Sequence, residues 1–502
     1  MNELHTNSIE EILVNNTEEA IIHVGSNGKF QKIAFVLLTI CYTCTGAFIT
    51  NSFVFLEKDP NFYCFKSDEW IECNRKEACS KNVPYKIEYL DIVNYSWTND
   101  FRMECKENYL IGLFATMFFL GSMISSIFAS SMSDYIGRSV MIKFSMILRS
   151  VVILIPIIFP NQYIIIVILF LIGLLNSLHS SIPYILISEY LSKNEKDKYQ
   201  TYMFMFESFS GILATAFFFF CQNWWIFFII NFIYGLFFIV FQYKLLESPR
   251  FLVTQKRFSE ARDVLKEIAK TNGKEEMIIK FTIENKEEKD DVKNEVNSKN
   301  TVSTSLLLKS KKLRIYIIVL PFIWFSTAFA FFAINFEVKY FKNEIFLSNL
   351  IIFSSEAISY FVSNKKMEIL GKKNSMIVSF LISAISYFLF IFVNKENAVI
   401  IFILIFLSKY GASALLNISS IYTNEVFPTD VRGRAIGICS FFGKFGGIIA
   451  PMIVEISEYT LIVSGIICIF SCIILIPLEN TFSSSHLVDR IEDLEEKLNN
   501  EL

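Results

Sequence analysis

Residues 163–187 read YIIIVILFLIGLLNSLHSSIPYILI, twenty-five residues without one Asp, Glu, Lys or Arg. At ~1.5 Å rise per residue, such a run crosses a hydrocarbon core about 30 Å thick as a helix. It does not alternate apolar and polar at every second residue, which argues against a barrel strand. Working outward, similar runs lie before it at 32–56, 109–131 and 140–159, and after it at 199–220 and 224–243. A polar stretch of residues 244–312 interrupts the series. It then resumes at 313–336, 345–362, 375–393, 399–423, 435–455 and 461–478. The reading is an all-α membrane protein with twelve transmembrane helices, six in each half.

Composition agrees. The 502 residues are 53% hydrophobic and only 19% charged, with a mean hydropathy of +0.45. That is too apolar for a soluble chain of this length. The charges cluster between the runs and offer no basic face for nucleic acid. The 53 Phe residues are read as compositional bias thickening the apolar runs. The first ~28 residues are polar and lack a cleavable signal pattern, so the first apolar run is expected to act as the membrane signal.

The expected organisation is a segment 1–29, a first half 30–243 with a large loop 57–108, a linker 244–312, a second half 313–478 and a tail 479–502. Six spans, a polar link and six more spans suit two parallel halves around a midplane site. Lys365, Lys366, Lys372 and Lys373 crowd the loop after span eight. Arg138 and Lys143 follow span two, and Arg432 and Arg434 follow span ten. The positive-inside rule puts these, the link and both termini in the cytoplasm. Loop 57–108 is then outside. Within the link, residues 259–268 have helical spacing, whereas 284–300 are too polar to bury a core. Leu487, Ile491, Leu494 and Leu498 give the tail an amphipathic helical pattern.

Loop 57–108 holds Cys64, Cys73, Cys79 and Cys105. On an oxidising face they can form two disulfides in any of three pairings. A zinc site is the rival, but the spacing lacks CxxC pairs, which favours disulfides and no metal. Asn94-Tyr95-Ser96 is the loop's glycosylation sequon. The other cysteines, such as Cys221 and Cys472, are read as packing residues.

Three strings stand at the same ends of their spans: SDYIGRS at 133–139, ESPRFL at 247–252 and NEVFPTDVRGRAIG at 424–437. In the first, Asp134 ends a helix, Gly137 permits a tight turn and Arg138 follows. An acid and an arginine so placed can clamp two helix ends by a charge-assisted bond. With these residues the chain resembles the major facilitator superfamily, and within it the organic cation, organic anion and carnitine transporter family. WFSTAFAFFAIN at 324–335, TNDFRMECKENYLIG at 98–112 and the tail ENTFSSSHLVDRIEDLEE look like that family too. The resemblance covers nearly the whole chain. It implies a transporter that works by alternating access, with gating roles for Asp134, Gly137, Arg138, Glu189, Glu247, Arg250, Glu425 and Arg432. Ser130 and Ser139 depart from the family pattern, as do four loop cysteines where six are usual. MEILGKKNS at 367–375 keeps Gly371 but has Glu368 where the family has Asp.

Ionisable residues within the spans are Arg149, Glu207, Glu356, Lys409 and Lys444. Each costs about 2.5–3.5 kcal/mol at the bilayer centre on insertion scales, so each is expected to face a pathway or a partner. With Trp324, Phe325, Phe329 and Phe332 they suggest a pocket for an organic ion. The alternative is structural pairing of Lys409 or Lys444 with Glu356 or Glu207. In the family that the chain resembles, the position of Lys444 is typically basic in anion carriers and acidic in cation carriers. The expected cargo is therefore a small organic ion, with a lean to anions or zwitterions and room for a coupled ion. Cation or carnitine transport, sugar-type transport and a receptor or scaffold derived from a carrier are the alternatives. An enzyme fits least, because His is scarce and no catalytic or phosphate-binding spacing occurs. No cofactor is expected, and plasma membrane is the default location.

Overall fold

A computed structural model describes residues 10–481 except 15, 44–46, 59, 67–68, 74, 80–83, 89–95, 104, 222, 275–276, 282–310, 341–344, 394–396, 428 and 458. The 284–300 stretch, the amphipathic tail pattern and Asn94 lie outside the described residues.

Before the loop come strand β1 (Glu10–Val14) and helices α1 (Thr17–Val24) and α2 (Lys29–Tyr42). The loop carries β2 (Asn61–Lys66), β3 (Glu69–Cys73) and β4 (Tyr85–Glu88). The rest of the first half comprises α3 (Asn108–Ile136), α4 (Arg138–Val152), α5 (Gln162–Tyr190), α6 (Lys193–Phe220) and α7 (Trp224–Phe241). The link holds α8 (Pro249–Thr254), α9 (Phe258–Thr271) and β5 (Met277–Phe281). The second half comprises α10 (Lys311–Glu337), α11 (Ile345–Leu370), α12 (Lys372–Leu389), α13 (Ala398–Val426), α14 (Thr429–Ile456) and α15 (Thr460–Leu475).

Among the described residues, nine helices are long and apolar enough to cross a membrane. Three further segments, shorter, less apolar or interrupted, stand at the places of the other expected spans. Helix α15 is shorter, at 16 residues. Helix α12 carries Ser375, Ser379, Ser383 and Ser386 on its buried side, and these lower its hydropathy. The first segment is interrupted at Asn51 and Ser52, between helical turns at Phe48–Thr50 and Phe53–Leu56. A hydropathy profile averages over such a break.

Asparagine side chains start three of the spans. Asn161, Asn223 and Asn397 accept from the amides of Tyr163, Trp225 and Ile400, satisfying orphan donors at the helix starts. Close packing uses small residues. A Cβ at Gly121 would collide with the Phe170 carbonyl, and one at Gly173 with that of Phe118, so α3 and α5 touch backbone to backbone.

Outside the spans the chain is not purely helical. β2 pairs antiparallel with β3 and with β4, forming a small three-stranded sheet in the loop. β1 pairs in parallel with β5, tying the start of the chain to the link. Asn272 strengthens this tie: its Nδ2 donates to the carbonyls of Val24 and Gly25, and its Oδ1 accepts from the Phe30 amide at 2.8 Å.

Candidate functional site

Four of the five expected intramembrane charges converge between the halves. Lys409 on α13 lies 3.0 Å from Glu356 Oε2 on α11, and both side chains are sealed from solvent. The same ammonium donates to Asn335 Oδ1 on α10 at 3.0 Å and sits over the Phe331 ring. Glu356 Oε1 faces the Tyr360 hydroxyl at 3.4 Å. Tyr360 stacks on Phe204 of α6, with centroids 5.3 Å apart, so it bridges the halves. On the first half, Glu207 Oε2 accepts a 2.6 Å bond from the Tyr42 hydroxyl. Glu207 acts electrostatically on both Lys409 and Lys444. Among the described residues, neither Glu207 nor Lys444 has an oppositely charged group within 4.0 Å. A buried ion needs a partner or a polar solvent, and these two retain unspent charge.

A narrow cleft opens beside this cluster. Asn51 and Val54 line it from the first segment, Phe332 and Asn335 from α10, and Asn349 and Phe353 from α11. Through Asn335 it touches the Lys409–Glu356 pair.

Of the expected aromatics, only Phe332 reaches this cleft. It packs on Phe119 of α3, with centroids 4.5 Å apart. Trp324 donates from Nε1 to Thr423 Oγ1 at 3.0 Å and packs beside Gly443. Phe325 stacks with Phe329, which is fully buried. Arg149 is not brought to the cleft. It bonds Asn231 Oδ1 at 3.1 Å inside the first half, with Cys41 and His179 as electrostatic neighbours.

The ends of α3 and α4 meet at Gly137, whose φ of +113° suits glycine. A Cβ there would stand 2.6 Å from Glu247 Oε2. Glu247 accepts from the amides of Arg138 at 3.0 Å and Ser139 at 3.1 Å, capping the start of α4. Arg138 bonds Asp134 Oδ1 at 2.6 Å and lies 3.3 Å from Glu189 at the end of α5. Arg250 joins Glu18 Oε2 and the Leu191 carbonyl.

The second half repeats this arrangement with other residues. Gly371, at φ +77°, separates α11 from α12. Asn480 Oδ1 accepts from the amides of Lys373 and Asn374. Lys372 pairs with Glu425 near the end of α13. Thus Arg138, Glu189 and Glu247 have counterparts in Lys372, Glu425 and Asn480. The side chain of Arg432 lies outside the described residues.

In the loop, Cys64 is bonded to Cys73 and Cys79 to Cys105. The first bond crosses from β2 to β3. The second ties residues 26 apart in sequence.

A family model described as "Sugar (and other) transporter" matches residues 48–482. The chain belongs to this family. The inward-open xylose transporter XylE of E. coli superposes with a TM-score of 0.62 over 93% of this chain and 99% of its own, at 14% identity. The major facilitator fold is thereby shown, and this transporter is a multi-pass membrane protein and not an enzyme. Among curated relatives, "Organic cation/carnitine transporter 2" of Homo sapiens is 22% identical over 425 residues, 84% of this chain and 74% of its own. "Solute carrier family 22 member 15-like" of Xenopus laevis is 24% identical over 500 residues, 95% of this chain and 96% of its own.

Several groups in the transporter's cleft and in the ion cluster beside it escape a reading of the sequence. Tyr42, Asn51, Asn335, Asn349 and Tyr360 are uncharged and sit among many similar residues. Asn480 had a signal: Glu479-Asn480 follows span twelve as Glu247-Ser248 follows span six.

Proposed function

We propose that this transporter carries small organic anions or zwitterions by alternating access. The carrying observation is the pair of unspent charges, Lys444 on α14 and Glu207 on α6, acting on each other from opposite halves. A carboxylate about 4 Å from Lys444 gains about 4 kcal/mol at an effective dielectric of ~20, before desolvation. An ammonium at that place is repelled. Glu207 can hold the cationic end of a zwitterion, which then spans the interface and favours its closure. The relatives named for organic cations and carnitine support the second arm, since carnitine itself carries a quaternary ammonium and a carboxylate.

On this reading Asp134, Gly137, Arg138, Glu189, Glu247, Arg250, Glu425 and Arg432 govern switching and do not touch the cargo. The Arg138 end faces the cytoplasm with both termini, and the cysteine loop, with Asn94 glycosylated, lies outside the plasma membrane. The test is uptake of a labelled aryl carboxylate, a betaine and a quaternary ammonium into cells making the protein. Uptake of the first or second above control cells supports the reading. Uptake of the ammonium alone overturns it.

A further inference from the structure

The narrow cleft beside the Lys409–Glu356 pair is lined by three amide side chains, none of them charged. Asn51 stands where the first segment is interrupted, Asn335 near the end of α10 and Asn349 in the first turns of α11. Asn51 belongs to the first half and the other two to the second, so the halves face each other across the cleft. Phe332, Phe336 and Phe353 supply its apolar walls. One turn beyond Val54, which also lines the cleft, Glu57 joins Lys339 and Glu455 in a buried cluster at the cysteine-loop end, with Lys339 Nζ at 3.2 Å.

The partners of each amide fix which way round it stands. Lys409 Nζ donates to Asn335 Oδ1 at 3.0 Å, which leaves the Asn335 amino group as a donor. Asn349 Nδ2 donates to the Ile345 carbonyl at 2.9 Å, which leaves its Oδ1 as an acceptor. Asn51 Nδ2 lies 3.5 Å from the Glu207 carbonyl and from Ser210 Oγ, and again Oδ1 is left. Among the described residues these three atoms have no hydrogen-bond partner, although Asn51 and Asn349 are only 8% and 2% exposed. Neither oxygen is sealed off, and each residue lines the cleft.

The set selects by chemistry. Two carbonyl oxygens repel an anion, and the amino group of Asn335, beside the Lys409 ammonium, repels a cation. A calcium-type cation would also gather about six to eight oxygens. A neutral group that both donates and accepts satisfies the set, and a hydroxyl does so through one small atom.

We propose that this cleft is a hydroxyl-binding subsite. The cargo is a hydroxylated organic ion, whose hydroxyl donates to Asn349 or Asn51 and accepts from Asn335. The subsite deepens the function proposed above and rests on it for the charged end of the cargo, which Lys444 and Glu207 receive. Because the amides come from opposite halves, the hydroxyl is held best when the halves are together at the cleft. A methyl in its place fits by size but leaves the buried amide atoms unpaired, and a site built to bond a hydroxyl discriminates on that ground.

The test is uptake into cells making the full chain, each hydroxyl being set against a methyl. The meta and para hydroxybenzoates are compared with the matching methylbenzoates, and choline with propyltrimethylammonium. The readout is the ratio of KM values, methyl to hydroxyl, within each pair. At least one hydroxybenzoate is expected to have a KM about tenfold below that of its methyl partner, the worth of one or two net hydrogen bonds. Asn349→Leu and Asn51→Val should each lower that ratio by about threefold or more. Asn349→Ser, which keeps an acceptor, should lower it less than Asn349→Leu. If one apolar variant fails to reach the surface, the other carries the comparison. Ratios near unity in every transported pair, or a ratio that neither apolar variant moves, overturn the hydroxyl subsite. Preference for choline over propyltrimethylammonium, with no benzoate transported, keeps the subsite and overturns the anion reading instead. Uptake of none of these probes overturns both.

Discussion

Lys409 and Glu356 satisfy each other within one half of the transporter, at 3.0 Å and out of contact with solvent. The charge of Lys409 is therefore committed before cargo arrives, in contrast with that of Lys444. Two lysines that look alike in the sequence differ because α13 turns its lysine toward α11, while α14 turns its own toward the opposite half.

Removing Lys409 alone should be costly. Lys409→Met leaves Glu356 as an uncompensated buried charge, a loss of about 3–5 kcal/mol. The double change Lys409→Met with Glu356→Gln removes both ions and should recover most of that loss. Thermal unfolding of the purified variants checks this, the expected order being parent, double variant, single variant.

The Asp134 and Glu247 contacts to Arg138 should separate switching from stability. Asp134 is 61% exposed, and an exposed i,i+4 pair is worth about 0.3–0.5 kcal/mol. Asp134→Asn should barely move the unfolding temperature or substrate binding, yet slow transport. A fall in binding in step with transport would show that Asp134 is not a gating residue. Glu247→Ala instead strips the acceptor from the amides of Arg138 and Ser139. Each orphaned amide costs about 1–3 kcal/mol, so this variant should lose stability as well as rate.

The lipid-crossing segments are legible because burial in hydrocarbon is a local demand that each residue meets separately. The cluster at the cysteine-loop end is not, since Glu57 and Lys339 meet across 282 positions. Nothing near either residue records the other. The loop sheet escaped for a different reason: its strands are four to six residues long, too short to stand out beside the apolar runs. The cysteine pairing stays open in sequence because all three connectivities are compatible with the spacing. Asn480 marks an intermediate case. Its amide oxygen takes the capping role that the carboxylate of Glu247 has in the first half, one residue later than the match of Glu479 with Glu247 would put it, so a search for charges passes over it.

The two loop disulfides should differ in weight. Chain-entropy estimates give about 2.7 kcal/mol for the short Cys64–Cys73 loop and about 3.5 kcal/mol for the longer Cys79–Cys105 loop. Cys79→Ser should therefore impair surface expression more than Cys73→Ser. Mass spectrometry of the non-reduced protein should show both bridges, and four free thiols in the loop would contradict this assignment.

Lys444 should set charge preference. It lies mid-helix in α14, half-buried, with no carboxylate within 4.0 Å among the described residues. Bringing a carboxylate to it gains Coulomb energy, much of which is cancelled as both ions lose water. What survives is the difference between attraction of an anion and repulsion of a cation. Reversing the charge by Lys444→Asp should therefore lower uptake of the aryl carboxylate and raise that of the quaternary ammonium. The rival is that Lys444 serves Glu356 as a structural partner. That place is already taken by Lys409, so the rival requires the fold to weaken in Lys444→Asp and to recover when Glu356→Lys is added. The selectivity account requires normal surface expression of Lys444→Asp and a changed ratio of carboxylate to ammonium uptake. An unchanged ratio in a well-expressed variant would falsify it.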